Sequence, residues 1–83
     1  MKIRVRYFAS VREALGAEET IDVPSGTSVG AVRDALIGRD AAHAAALGRN
    51  RALRSALDQV LCEESAAVPE GAEIGFFPPV TGG

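Results

Sequence analysis

Residues 2–9, KIRVRYFA, alternate cleanly between apolar and polar positions. Ile3, Val5 and Tyr7 fall on one side. Lys2, Arg4, Arg6 and Phe8 fall on the other. Period two with β-branched residues predicts a strand with one wet face, on which Phe8 stands among charged residues. Ser10-Val11-Arg12-Glu13 has the form of a capping box, and Gly16 fits a helix stop, so residues 11–15 are expected to form one short helical turn. Residues 18–24, EETIDVP, predict a second strand, with Ile21 and Val23 opposite Thr20 and Asp22. Pro24-Ser25-Gly26 is turn chemistry. Two strands joined by so short a link are expected to be antiparallel neighbours.

Thr27 or Ser28 is placed to cap the next helix. Val29, Val32, Ala35 and Leu36 follow at helical spacing, with Arg33 and Asp34 outside and Gly38 at the end. Asp40 is placed to cap a second, Ala-rich helix that contains His43 and closes at Gly48. Residues 49–62, RNRALRSALDQVLC, are ambiguous. Leu53, Leu57, Val60 and Leu61 fit a helix, and pattern alone leans that way, yet 56–62 also fits a buried strand. A turn is expected at Pro69-Glu70-Gly71. In the last alternating run, EIGFF over 73–77, Ile74 and Phe76 point inward and Glu73, Gly75 and Phe77 outward. Pro78-Pro79 then ends any ladder pairing.

Eighty-three residues are enough for one domain and too few for two. A domain of this size hides only about 60–65% of its unfolded surface, so an exposed aromatic is a costly choice. The net charge of −2 argues against a general nucleic-acid binder, which carries a basic stripe and a high pI. A single cysteine, Cys62, excludes an internal disulfide framework and a multi-cysteine zinc site. No apolar run approaches the roughly 18–20 residues of a membrane span. No charged-then-apolar leader opens the sequence. A cytoplasmic location is the expectation. The catalytic inventory is thin: one His, one Cys, no cluster at metal-ligand spacing and no phosphate-cradling Gly-rich loop. Such a composition favours a binding or carrier module over a free-standing enzyme.

The sharpest chemical signal lies at the end of the chain. A core-directed strand runs into two prolines, which keep the backbone extended, and the sequence then reads Val80-Thr81-Gly82-Gly83. Two residues without side chains can thread a narrow channel. A terminal Gly carboxylate is an unhindered acyl group. Adenylation would convert it to a mixed anhydride open to attack by sulfur, with the protein itself as substrate.

The segment Phe76-Phe77-Pro78-Pro79-Val80-Thr81-Gly82-Gly83 resembles the C-terminal signature of the MoaD family, the small subunits of molybdopterin synthase. Tyr7-Phe8-Ala9-Ser10-Val11-Arg12-Glu13 is similar to that family's first strand and helix, and Ala56-Leu57-Asp58-Gln59-Val60-Leu61 to its middle strand. Asp58 stands where the family often carries Asn, a departure that bears on a local turn contact. The resemblance implies an α+β fold, the ubiquitin-like β-grasp, a mixed sheet with a helix packed on one face. It resolves residues 56–62 toward strand. It also implies a β-grasp domain over 1–77 and an extended tail over 78–83.

The resemblance further implies that Gly83 is adenylated by a MoeB-like activating enzyme using ATP and then thiocarboxylated, with Gly82 allowing the tail to thread. No cofactor bound to the chain itself is implied. The tail would enter the large subunit, MoaE, and give sulfur to cyclic pyranopterin monophosphate. The implied assembly is a heterotetramer on a large-subunit dimer, with the reaction's acid–base groups on the large subunit. The small subunit is then a sulfur donor rather than the catalyst.

Parity offers an independent expectation. If the first and last strands are neighbours, Phe8 and Phe77 make one exposed apolar patch that Leu61 joins. With Pro78, Pro79, Val80 and Thr81 these are the expected partner-binding residues. Cys62 shares a parity with Val60 and is read as core packing. His43 has no ligand partner within reach by spacing and is read as a surface or half-buried helix residue. Arg49, Arg51 and Arg54 are read as a solvated basic loop. The alternatives are a sulfur carrier for thiamin or tRNA thiolation, a ubiquitin-like protein modifier, or an interaction module with an inert tail.

Overall fold

The computed structural model describes residues 1–79. Its elements are, in chain order, β1 (Lys2–Tyr7), α1 (Ala9–Leu15), β2 (Glu18–Asp22), α2 (Val29–Ile37), α3 (Ala41–Leu47), β3 (Arg54–Leu57), β4 (Val60–Cys62) and β5 (Glu73–Phe77). The strands form one mixed sheet in the order β2-β1-β5-β3-β4. β1 and β2 are antiparallel, as the short link requires. β1 and β5 are parallel, with Val5 opposite Ile74 and Tyr7 opposite Phe76. β3 is antiparallel to both β5 and β4. This is the α+β β-grasp arrangement.

The alternation seen in the sequence sorts the two faces of the sheet. Ile3, Val5, Tyr7, Ile74 and Phe76 are all at most 1% exposed and form the core with Val29, Val32, Leu36 and Leu47 from the helices. Ser28 caps α2 by accepting the Ala31 N–H, and Asp40 caps α3 by accepting the His43 N–H. The helices thus begin at the residues whose side chains satisfy otherwise unpaired backbone donors.

Four expectations are corrected. The capping box at Ser10 does not form. α1 starts two residues earlier, after Phe8, with no side-chain cap, and the Phe8 carbonyl accepts the N–H groups of Val11 and Arg12. Residues 54–62 are a hairpin rather than a helix or one strand. Asp58 and Gln59 both have positive φ (48° and 70°), the primed-turn geometry that matches strand twist. Asp58 earns this position: its N–H donates to the Glu73 carbonyl, and its carboxylate accepts the Glu73 N–H at 3.0 Å. Val60 does not face the core. It opens β4, an edge strand whose one ladder partner is β3, and is 68% exposed.

The fourth correction concerns α2. Arg33, expected outside, is buried, and Ala35, expected inside, is exposed. Arg33 occupies the third position of the buried stripe Val29-Val32-Arg33-Leu36. Its guanidinium is accommodated because every edge finds an acceptor. It donates to the carbonyls of Leu47 (2.7 Å), Gly48 (2.8 Å) and Arg51 (3.0 Å) and pairs with Glu64 at 2.8 Å. One side chain therefore ties α2 to the end of α3, to the segment before β3 and to the loop after β4. Arg49, in the exposed loop after α3, joins the same cluster: it binds Asp34 at 2.8 Å and also Glu64.

His43 also has partners that local spacing could not show. Its ring lies between Glu19 of β2 (Nε2 to Oε2, 2.7 Å) and Asp40 (Nδ1 to Oδ1, 2.8 Å). Both neighbours are carboxylates, so an imidazolium donates to both. The Tyr7 hydroxyl donates to the same Glu19 at 2.8 Å, and Arg39 pairs with it. Burial alone would lower the His43 pKa, but its bonds to Glu19 and Asp40 outweigh this and hold it above the ordinary value. Burial would raise Glu19, but the bonds from His43 and Tyr7 bring it below the ordinary range. Asp40 is lowered by the His43 backbone N–H and then by its ring.

Two outcomes follow from these clusters. Arg33→Met removes the guanidinium donor from the carbonyls of Leu47, Gly48 and Arg51 and leaves Glu64 with Arg49 alone. It should cost about 3 kcal/mol or more, the scale for breaking one side of a buried ion pair, read from urea unfolding. The His43 cluster should give a bounded pH window. A raised histidine pKa contributes stability that is complete below the unfolded value and is lost as pH rises through the folded one. The lowered carboxylates contribute above their unfolded values and lose it as pH falls through the folded ones. The cluster should therefore stabilise most between the ordinary glutamate and histidine values, 4.5 and 6.5. The Tm difference between the parent and His43→Gln should be widest there and narrow on both sides.

Candidate functional site

The outer face of the sheet carries no helix and holds the site. Parallel pairing places Tyr7 beside Phe76 on the inner face, so Phe8 and Phe77, one residue on, meet on the outer face. The Phe8 N–H donates to the Phe76 carbonyl at 3.2 Å, which keeps the two chains in register past the end of β1. The rings meet edge to face, with centroids 6.3 Å apart and planes at 86°. Phe8 remains 38% exposed.

Beneath Phe8 lies Gly75. A Cβ there would stand 3.1 Å from the Phe8 ring, so the missing side chain lets the ring lie down on the sheet. Across the next ladder Gly75 faces Ala56, and Ala56 faces Leu61, which is 59% exposed. Small residues in the middle and large ones at the rim make a groove of about 660 Å³. Pro78 and Pro79 line its end. The groove is thus continuous with the route by which the chain leaves β5.

Charge borders this apolar surface on one side. The Arg6 guanidinium sits 5.3 Å above the Phe8 ring. Glu73 lies deeper, with 13% of its side chain exposed, and takes Arg4 at 3.0 Å and Arg6 at 3.4 Å. The Arg4 and Arg6 guanidiniums also pair with Glu18, Nε to Oε2 at 3.5 and 4.0 Å.

Phe8, Leu61, Phe77, Pro78 and Pro79 are therefore brought together on one groove. Val80, Thr81, Gly82 and Gly83 lie outside the described residues. Cys62 is half-buried, packs against the core cluster and has its sulfur 3.8 Å from the Ser55 hydroxyl. Among the described residues no group of three His, Cys, Asp or Glu side chains could hold a metal ion, and no helix is long and apolar enough to cross a membrane. Sequence reasoning missed three parts of the site: Gly75 as the bed of Phe8, Ala56 as the groove floor, and Arg6 stacked on the ring. The parity of Arg6 with Phe8 was the available signal for the last.

Comparison with known proteins agrees with this geometry. The model of the ThiS family matches residues 5–83. The chain is 36% identical over 81 residues to the molybdopterin synthase sulfur carrier subunit of Escherichia coli, covering 98% of this chain and 99% of that one. It is 37% identical, with the same coverage, to the subunit of that name from Haemophilus influenzae. Among solved structures, small archaeal modifier protein 1 of Haloferax volcanii superposes with a TM-score of 0.76 at 26% identity, covering 95% of this chain and 98% of that one. A chain from the protein–protein complex of subunits 1 and 2 of the Helicobacter pylori molybdopterin-converting factor shares the fold, with a TM-score of 0.70 at 24% identity and full coverage of both. A fold of β-grasp topology, a family match from residue 5 onward and relatives aligned along nearly their whole length lead to one conclusion: the chain belongs to the ThiS family.

Proposed function

We propose that this protein is the sulfur carrier subunit of a molybdopterin synthase, and that the sulfur rides on the C-terminal carboxyl of Gly83. The observation that carries the reading is the apolar groove lined by Pro78 and Pro79, after which the sequence runs Val80-Thr81-Gly82-Gly83. The full-length similarity to molybdopterin synthase sulfur carrier subunits supports it. In this reading an activating enzyme transfers AMP from ATP to the Gly83 carboxylate and releases pyrophosphate. A sulfur nucleophile then displaces AMP, leaving a thiocarboxylate.

The groove docks on the large subunit and the tail enters that subunit's active site. There sulfur passes to cyclic pyranopterin monophosphate, the C–S bond of the carrier breaks, and an oxygen from water restores the carboxylate. A dithiolene needs two sulfurs, so the carrier is recharged and used twice. The globular domain contributes position, and the large subunit contributes the acid–base groups. Two carriers on a large-subunit dimer complete the assembly.

The anchors and the terminus predict separable losses. Phe8→Ala removes one of the two aromatic anchors of the docking face and should weaken the complex by about 2 kcal/mol or more, measured by calorimetry, while the Tm changes little. A Phe8→Ala protein that unfolds yet binds normally per folded molecule would make Phe8 a core residue instead. Deleting Gly83 shortens an extended tail by about 3.3–3.6 Å. A displacement of about 1 Å can already cost on the order of a hundredfold in rate. Loading and transfer should therefore collapse, and one residue added after Gly83 should do the same. Gly82→Val should block threading and leave the fold intact. Each variant is incubated with ATP, the activating enzyme and a sulfur source, and intact mass reports exchange of one oxygen for sulfur. Normal transfer by the variant lacking Gly83 would end this reading. Stable adducts to lysines of other proteins, in place of the thiocarboxylate, would instead favour a protein modifier, the reading toward which the likeness to small archaeal modifier protein 1 points.

A further inference from the structure

The described arginines differ in how they are used. Arg33, Arg39 and Arg49 are held by carboxylates or carbonyls, and Arg4 is held by Glu73 at 3.0 Å. The two that flank the aromatic pair are held more loosely or not at all. Arg6 stacks on Phe8, has one long hydrogen bond, 3.4 Å, to Glu73, which Arg4 already occupies, and stands 4.0 Å from the Glu18 carboxylate. Arg54 lies directly across the ladder from Phe77 and, because Ser55 is buried, on the same outer face. Among the described residues Arg54 takes no hydrogen bond and no ion pair.

We propose that Arg6 and Arg54 are specificity-determining residues of the docking face, and that the surface covering them presents carboxylates. This rests on the docking role given above to the Phe8–Phe77 groove. Seating any partner on the rings brings it over both guanidiniums. Taking their open N–H groups out of water without an acceptor is unfavourable, and a carboxylate fits the guanidinium fork in two parallel bonds. A large subunit with acidic residues at those two points is therefore selected, and one with basic or apolar residues there is rejected. The net charge of the chain is −2, so the signal is local rather than a property of the whole molecule.

The test uses the full chain and the large subunit from the same organism. Association rates are measured by stopped flow from low to high salt. Arg6→Glu would set a carboxylate beside Glu18 and Glu73, so the informative variant is Arg6→Gln with Arg54→Gln. Arg6→Lys with Arg54→Lys retains charge, and thermal melts confirm that each variant is folded. The Gln pair should associate about tenfold more slowly at low salt, with a shallower salt dependence and little difference at high salt, as rim charges do. The Lys pair should recover most of the rate. Parent-like rates and salt slope for the Gln pair, with Phe8→Ala still weakening the complex, would overturn the arginine assignment and leave the docking face standing. If Phe8→Ala also binds normally, the docking face falls, and the arginine assignment with it. The loading assay on Gly83 reads the carrier chemistry independently of both.

Discussion

Everything in this molecule hangs on the parallel pairing of β1 with β5. These two strands form the centre of the sheet, and their inward side chains are all at most 1% exposed. A parallel pair cannot be closed by a tight turn, so the helices and the outer hairpin are the crossover that makes it possible. The same pairing decides where function sits. It brings Phe8 beside Phe77 on the uncovered face, and it sends the chain out of β5 at the end of the sheet where α1 begins.

The two faces solve opposite problems. On the inner face the helices must be held at fixed angles with few aromatics to pack, and polar side chains share the task. Arg33 joins four segments through saturated hydrogen bonds, and Glu19 gathers Tyr7, His43 and Arg39. On the outer face apolar area is left open. Gly75 and Ala56 keep the middle of the groove low so that the rings and Leu61 can form its rim. The sheet is thus built as a core on one side and an open apolar surface on the other.

Much of this was legible in the sequence, for a clear physical reason. Period-two alternation is enforced by the pleat, so Ile3, Val5, Tyr7, Ile74 and Phe76 declared the inner face, and Phe8 and Phe77 stood out by parity. Helix starts at Ser28 and Asp40 were equally plain, since capping is local chemistry. What could not be read depends on partners distant in sequence. Arg33 looks like a solvated residue until Leu47, Gly48, Arg51 and Glu64 arrive to saturate it. His43 looks solitary until β2 brings Glu19. The hairpin hid because Asp58-Gln59 lacks the glycine that normally marks a turn with two positive φ values. The tail was legible only as a motif, because it carries no periodicity.

The central ladder joins Arg4 to Glu73, 69 residues apart. A nascent chain emerging from the ribosome can assemble the hairpins and helices as they appear, but its sheet has a gap in the middle until residues 73–77 arrive. Folding is therefore governed by long-range closure rather than by local propensity, a high contact order that slows it. An interrupted synthesis product that stops short of β5 leaves Tyr7, Val5 and the helix stripe without their partner strand. Such a fragment is a substrate for proteolysis, not a competitor. Any check on the fold is then also a check that translation has run to within six residues of Gly83.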